Sequence, residues 1–272
     1  MTGKPRSHLE VENNMAGPGT VLSLLAHPDD AEILCAGTMA HLASRGWRCH
    51  VATFTAGDCG SAELDQAAIS KIRRAEALAA ATLLPGGYDC LEEKDLLLFY
   101  APRPLRKVVS LLRRVRPTVV LAHSPADYMA DHEMASLLVR AGCFNAAVPN
   151  LFPRTGAPAL EHIPALYYCD PLDGVDPMGR PVQPAMVVDV GSTLDLKEKM
   201  LACHASQRDW LARQHGMDQY LVAMRDFAKS RGSLAGISAG EGFRQHLGHG
   251  YPHENLLAKA LGGLFHQTKP HA

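Results

Sequence analysis

Residues 23–38, SLLAHPDDAEILCAGT, place one histidine and three carboxylates within six positions, between an apolar run and a segment with helical spacing. His27 and Asp30 offer the imidazole nitrogen and carboxylate oxygen that zinc accepts, and Pro28 stiffens a turn that can bring both to one point. Asp29 is left beside them. The tetrapeptide reads equally as a helix start, with Asp29 or Asp30 as cap and His27 as a strand-end residue. A second stretch, HSPADYMADHEM (123–134), again follows an apolar β-rich run and contains Asp131 and His132. Alone it is a helix N-terminus; with the first stretch it supplies His132 as a third ligand. Two histidines, one aspartate and an open position fit a catalytic zinc site better than a closed structural one.

Those loops must be positioned by the elements that precede them. TVLSLLA (20–26), RCHVATFT (48–55), YDCL (88–91), TVVLAH (118–123), ALYYC (165–169) and MVVDV (186–190) have strand character. Between them, residues 32–46, 66–84, 102–115, 131–147 and 192–214 have helical spacing. Such alternation predicts an α/β fold, a Rossmann-like, mostly parallel sheet with helices on both faces. Ligands bind such sheets beyond the carboxyl ends of strands, where HPDD lies. A dinucleotide fold would carry G-x-G-x-x-G at that place, whereas three carboxylates would repel a pyrophosphate. The expected organisation is a polar extension over 1–18, one domain over 19–264 with Pro-rich loops at 148–184, and a polar tail over 265–272. The amphipathic stretch RKVVSLLRRVR (106–116) is expected to cover the sheet with a solvated outer face.

The 272 residues can bury a substantial core. With 47% hydrophobic and 20% charged residues and a formal net charge of −1, neither disorder nor a nucleic-acid partner is indicated. Seven cysteines, odd in number and never spaced C-x-x-C, read as reduced core thiols, which points to a cytoplasmic setting. The N-terminus has no apolar signal-like region, and no run approaches the ~20 apolar residues of a spanning helix, so no membrane role is expected.

In order along residues 20–244, AHPDDAE, Arg73 with Glu76, the Asp-His of DYMADH, CHASQ (203–207) and GEGF (240–243) resemble the LmbE-like, or GlcNAc-phosphatidylinositol de-N-acetylase, superfamily. The resemblance implies a Rossmann-like sheet and zinc-dependent removal of an acetyl group from N-acetylglucosaminyl conjugates. It implies His27, Asp30 and His132 as zinc ligands, Asp29 as general base, and Arg73 as a substrate-facing group. An Arg-Glu pair three apart on a helix otherwise reads as a surface ion pair. His204, Ser206 and Gln207 of CHASQ are expected to make scaffold hydrogen bonds.

One position departs from the pattern. Where the family loop has H-P-D-H, with its first histidine stabilising the charged intermediate, this chain has Met129-Ala130, and a thioether donates no useful hydrogen bond. His249 and His253, in RQHLGHGYPHEN, are candidate substitutes and substrate-binding residues; the same stretch also reads as a solvated polar loop. The expected partner is a small-molecule glycoconjugate, such as a glycopeptide antibiotic or other glycosylated secondary metabolite, with Phe144, Leu151, Phe152, Tyr167 and Tyr168 as candidate walls of an apolar cleft. A low-molecular-weight thiol precursor is the alternative substrate, and a metal- or nucleotide-binding protein without hydrolase activity is the alternative class. Oligomeric state and aglycone do not follow from the sequence.

Overall fold

The computed structural model of the chain describes residues 18–154, 156–207 and 219–268. Its centre is β1 (Thr20–Leu25), flanked by β2 (Arg48–Thr55) and β4 (Val119–Ala122), with β3 (Gly86–Glu93) outside β2 and β5 (Ala165–Cys169) outside β4. These five strands are parallel. β7 (Gly240–Gln245) then pairs antiparallel with β5 and with β6 (Met186–Asp189), and β8 (Phe265–Gln267) closes the far side, giving the order β3-β2-β1-β4-β5-β7-β6-β8. The fold is α/β, as the alternating pattern predicts. Residues 265–267, expected to begin a polar tail, instead form the edge strand.

Alternate residues of β1 and β4 feed two separate cores, as they must in a sheet buried on both faces. Val21, Val119 and Leu121 pack on one side with α2 (Ala36–Ser44) and α6 (Leu194–Ala202). Leu22, Leu24 and Val120 pack on the other with α4 (Pro102–Val115) and α5 (Ala130–Ala146). α3 (Gln66–Ala81) lies over β3, and α7 (Gln219–Ser233) over β7 and β6.

Two helices are shorter than their spacing predicts. The helical segment after HPDD breaks at Cys35 (φ −149°, ψ 4°) into α1 (Asp30–Leu34) and α2. Glu241 causes the break to be worthwhile: its buried carboxylate accepts from the first-turn amides of α2, Gly37 N at 2.9 Å and Thr38 N at 2.7 Å. Lys197 neutralises it at 2.6 Å and also donates to Ile33 O of α1 at 2.8 Å. One ion pair thus satisfies groups of two helices that would otherwise be buried orphans. The segment read as a helix over 192–214 stops at Ala202; residues 208–214 of that expectation, like residues 1–17 and 269–272, lie outside the described residues.

Candidate active site

The sheet reverses its strand order at β1, so the crevice between the carboxyl ends of β1 and β4 is a topological switch point. HPDD follows β1 and His123 follows β4. The chain turns from β1 into α1 within four residues, which holds Asp29 at φ 94°, ψ −24°. A non-glycine residue there is strained, and such strain persists where surrounding structure fixes it. The Asp30 carboxylate reaches back to accept from His27 N at 2.7 Å, closing the turn.

His132, near the start of α5, meets this turn. His132 Nε2 lies 3.3 Å from His27 Nδ1 and 3.6 Å from Asp30 Oδ1, and His27 Nδ1 lies 3.4 Å from Asp30 Oδ2. Donor atoms bonded at ~2.0–2.1 Å to a tetrahedral zinc stand about 3.3–3.4 Å apart. The remaining ring nitrogens are held by carboxylates: His132 Nδ1 by Asp127 at 2.9 Å, His27 Nε2 by Asp95 at 2.9 Å and Asp131 at 3.3 Å. Outer carboxylates of this kind fix a ligating imidazole's tautomer and orientation. His27, Asp30 and His132 are therefore a group that could hold a divalent metal, and they fit one. Overlapping groups through Asp95, Asp127 or Asp131 compete for it. Asp131, however, is already engaged by Leu96 N at 2.7 Å and Leu98 N at 3.2 Å, which marks it as an orienting group.

Burial disfavours protonation of His27, yet Asp131, Asp30 and Asp95 outweigh it and raise its pKa well above the usual imidazole value. Asp30 shows the complement: burial would raise its pKa, but His132 and His123 lead the effects that hold it well below the carboxylate range.

Asp29 lies beside this cluster with its Oδ2 taken on two sides. Tyr220 donates to it at 2.6 Å and Arg73 Nη2 stands at 3.4 Å, while the same Nη2 donates to Pro28 O at 2.8 Å. Among the described residues no hydrogen bond reaches Oδ1. Burial is the main effect raising the Asp29 pKa, opposed first by Arg73. Arg73 itself is buried because the neighbouring loop gives way. A Cβ on Gly57 would come within 2.1 Å of its Nη1, and one on Gly60 within 2.4 Å. Arg73 and Glu76 do not form a surface pair; Glu76 accepts from Ser206 N at 2.8 Å and Ser206 Oγ at 2.7 Å. In the same segment Gln207 donates to Gly60 O at 3.0 Å and His204 faces Glu32 at 3.4 Å, so CHASQ ties α3, the 57–60 loop and α1 together behind Asp29.

The structure brings His27, Asp29, Asp30, Arg73 and His132 to one place. It does not bring His249 and His253 there. β7 runs antiparallel to β5, so the chain after it leaves toward the amino edge of the parallel strands, where His253 lines a cavity with Arg116, Pro117 and Ile163. The expected cleft walls are displaced for a related reason. Tyr167 and Tyr168 are buried on opposite faces of β5. The loop carrying Leu151 and Phe152 follows the C-terminus of α5 and is held at the amino edge by Arg113, which donates to Val148 O, Leu151 O and Phe152 O at 2.7, 3.0 and 3.0 Å.

Sequence reasoning missed His123, Asp95 and Tyr220. His123 is fully buried, stacks on His132 at 3.9 Å with rings 12° apart, and sets its Nε2 3.0 Å from Asp30 Oδ2. Its place at the end of an apolar strand beside a carboxylate-rich loop was the available signal.

Residues 22–143 match the family model described as PIG-L, GlcNAc-PI de-N-acetylase. A curated relative, 4-oxalmesaconate hydratase of Pseudomonas putida KT2440, is 27% identical over 216 residues, covering 76% of this chain and 81% of the relative. Among solved structures, an N,N'-diacetylchitobiose deacetylase from Pyrococcus horikoshii superposes with a TM-score of 0.73 at 22% identity, over 90% of this chain and 95% of that one. A deacetylase of the teicoplanin biosynthetic pathway superposes with a TM-score of 0.60 at 17% identity, over 84% and 99%. The resemblance to the LmbE-like, PIG-L superfamily read from the sequence therefore holds for this chain, in its family match and in its fold.

Proposed function

We propose that the chain is a zinc-dependent N-deacetylase that hydrolyses the acetamide of an N-acetylglucosaminyl conjugate. The observation that carries this is the convergence of His27, Asp30 and His132, with the two ring nitrogens 3.3 Å apart and an Asp30 carboxylate oxygen 3.4 Å from one and the other oxygen 3.6 Å from the second, and with the carboxylate of Asp29 next to them. Zinc bound there would polarise the acetamide carbonyl and make water a stronger nucleophile at neutral pH. Asp29 takes the proton of the attacking water at its free oxygen and returns it to the amide nitrogen as the C–N bond breaks, releasing acetate and the sugar amine. Tyr220 and Arg73 keep the other oxygen occupied, so the base acts in one orientation.

Exposed apolar side chains favour a conjugated sugar over a free one. Leu96, Leu97, Phe99 and Tyr128 are 58, 62, 64 and 60% exposed and lie on the two loops that supply Asp95 and Asp127. Monomeric surfaces seldom gather such residues without use. A glycosylated secondary metabolite with an apolar aglycone suits this rim. A second reading is favoured by the hydratase relative: addition of water to an unsaturated carboxylic acid such as 4-oxalmesaconate, for which the same base would activate the same water.

The test is elemental analysis of the purified protein, followed by amine release from free, alkyl and aryl N-acetylglucosaminides with and without chelator, alongside loss of ultraviolet absorbance from 4-oxalmesaconate. Chelator-sensitive amine release is the expected result. Metal-replete protein that releases no amine from any conjugate overturns the deacetylase reading, and consumption of 4-oxalmesaconate then selects the hydratase.

A further inference from the structure

Attack on an amide carbonyl leaves negative charge on its oxygen, and a hydrogen-bond donor aimed at that oxygen is typically worth ~10²–10³ in kcat. Around the His27–Asp30–His132 cluster most donors are already engaged. Arg73 Nη2 is committed to Pro28 O and Asp29 while its Nε is buried, Tyr220 is committed to Asp29, and His123 is sealed beneath His132 against Asp30. Met129 has no donor to give.

Tyr128 differs from all of these. Its ring meets His132 edge-on, with centroids 5.3 Å apart and planes at 81°, and the side chain is open to solvent. No described residue hydrogen-bonds its hydroxyl. The loop that carries it also supplies Asp127, whose carboxylate holds His132 Nδ1 at 2.9 Å, so the ring stands at the rim of the cluster. The backbone on either side is fixed. Asp127 N donates to Glu133 Oε1 at 3.2 Å, and Met129 O accepts from His132 N at 3.1 Å and Glu133 N at 3.2 Å. A donor held in this way needs little reorganisation as charge develops.

We propose that Tyr128 is a catalytic residue: its hydroxyl donates a hydrogen bond to the substrate carbonyl oxygen as that oxygen becomes an oxyanion, supplying the donor that Met129 lacks. No proton is transferred in this role; the phenol remains neutral throughout. The inference rests on the amide-hydrolase reading, and it assigns the oxyanion donor to the loop at the site itself, where the C-terminal histidines had been the candidates.

The experiment compares wild type, Tyr128→Phe, and Tyr128→Phe combined with Met129→His. Metal content is measured by elemental analysis, kcat and KM on an aryl N-acetylglucosaminide, and by calorimetry the affinities for the amine product and for a phosphonamidate that mimics the tetrahedral adduct. Tyr128→Phe is expected to keep its metal and its product affinity, to lose about 10²-fold in kcat, and to bind the phosphonamidate weaker by a similar factor. Adding Met129→His is expected to recover at least tenfold of both losses. A Tyr128→Phe protein whose kcat and phosphonamidate affinity stay within about threefold of wild type overturns the assignment, as does one that loses product and phosphonamidate affinity equally, which would mark a packing role. A metal-replete wild type that neither turns over nor binds the phosphonamidate overturns the deacetylase reading, and this role falls with it.

Discussion

At the carboxyl edge of the parallel strands, short loops converge charged groups at the β1/β4 switch point; at the amino edge, the longer 147–164 loop and the segment after β7 enclose a cavity of about 700 Å³. From composition the second region looks the better site, with its prolines, aromatics and histidines. Its polar groups do not converge. At the carboxyl edge, by contrast, Arg73 Nε, His123 Nδ1, Asp127 Oδ2 and His204 Nδ1 are buried without a hydrogen-bond partner among the described residues. Unsatisfied buried polar groups are costly and rare, so their concentration marks a place shaped for something other than stability. Volume alone marks only where loops fail to pack.

That contrast is most exposed to attack through the His27–Asp30–His132 cluster. Asp30→Ala is expected to lose its bound metal altogether, read by elemental analysis, and with it all turnover. Circular dichroism should report a retained fold, since the substitution removes charge from a crowded cluster. Retention of metal would mean that Asp95, Asp127 or Asp131 had been taken wrongly for orienting groups.

Asp29→Asn separates base from ligand. It is expected to keep the metal and drop kcat by ~10²–10⁴, the range for loss of a general base. Near-normal turnover would break the assignment. Tyr220→Phe should have a smaller effect, because Arg73 remains on the same oxygen. A hydrogen bond to a charged group is worth about 1.5–3 kcal/mol, so a roughly tenfold loss of kcat with little change in KM is expected. An equal rise in KM would move Tyr220 to substrate binding.

The rim tests substrate class. Leu97→Ser with Phe99→Ser is expected to raise KM for aryl conjugates about three- to tenfold and to leave the free sugar unaffected. Equal effects on both would remove the aglycone from this surface. Smallest of all, His249→Ala and His253→Ala at the other edge should leave kcat/KM within about twofold, measured on the same conjugates. A large loss in either would show that the amino edge takes part after all.

How far these features could be read beforehand depended on their range along the chain. The alternation of strands and helices and the HPDD turn are local patterns, and they were legible. So was the pairing of HPDD with Asp131 and His132, because both follow recognisable strands. Asp95 was hidden in EEKDLLLFY, whose hydrophobic residues suggested nothing catalytic, and Tyr220 meets Asp29 across 191 residues. The break at Cys35 was invisible because its cause, Glu241, lies more than two hundred positions away. The misplacement of His249 and His253 has a single origin. Nothing in the composition of GEGFRQ states which way the strand runs, and its direction decides which edge of the sheet receives the residues after it.

The glycines that make room for Arg73 bear on how this chain tolerates change. Neither Gly57 nor Gly60 is a reacting group, yet a methyl on either collides with the guanidinium, and Gly57 also requires φ +66°. A random-mutagenesis screen for lost activity should therefore recover alanine at these two positions as readily as substitutions of Arg73 itself. A smaller side chain at 73 frees only Gly60 to change, because position 57 stays bound to glycine by its φ of +66° whatever stands at position 73.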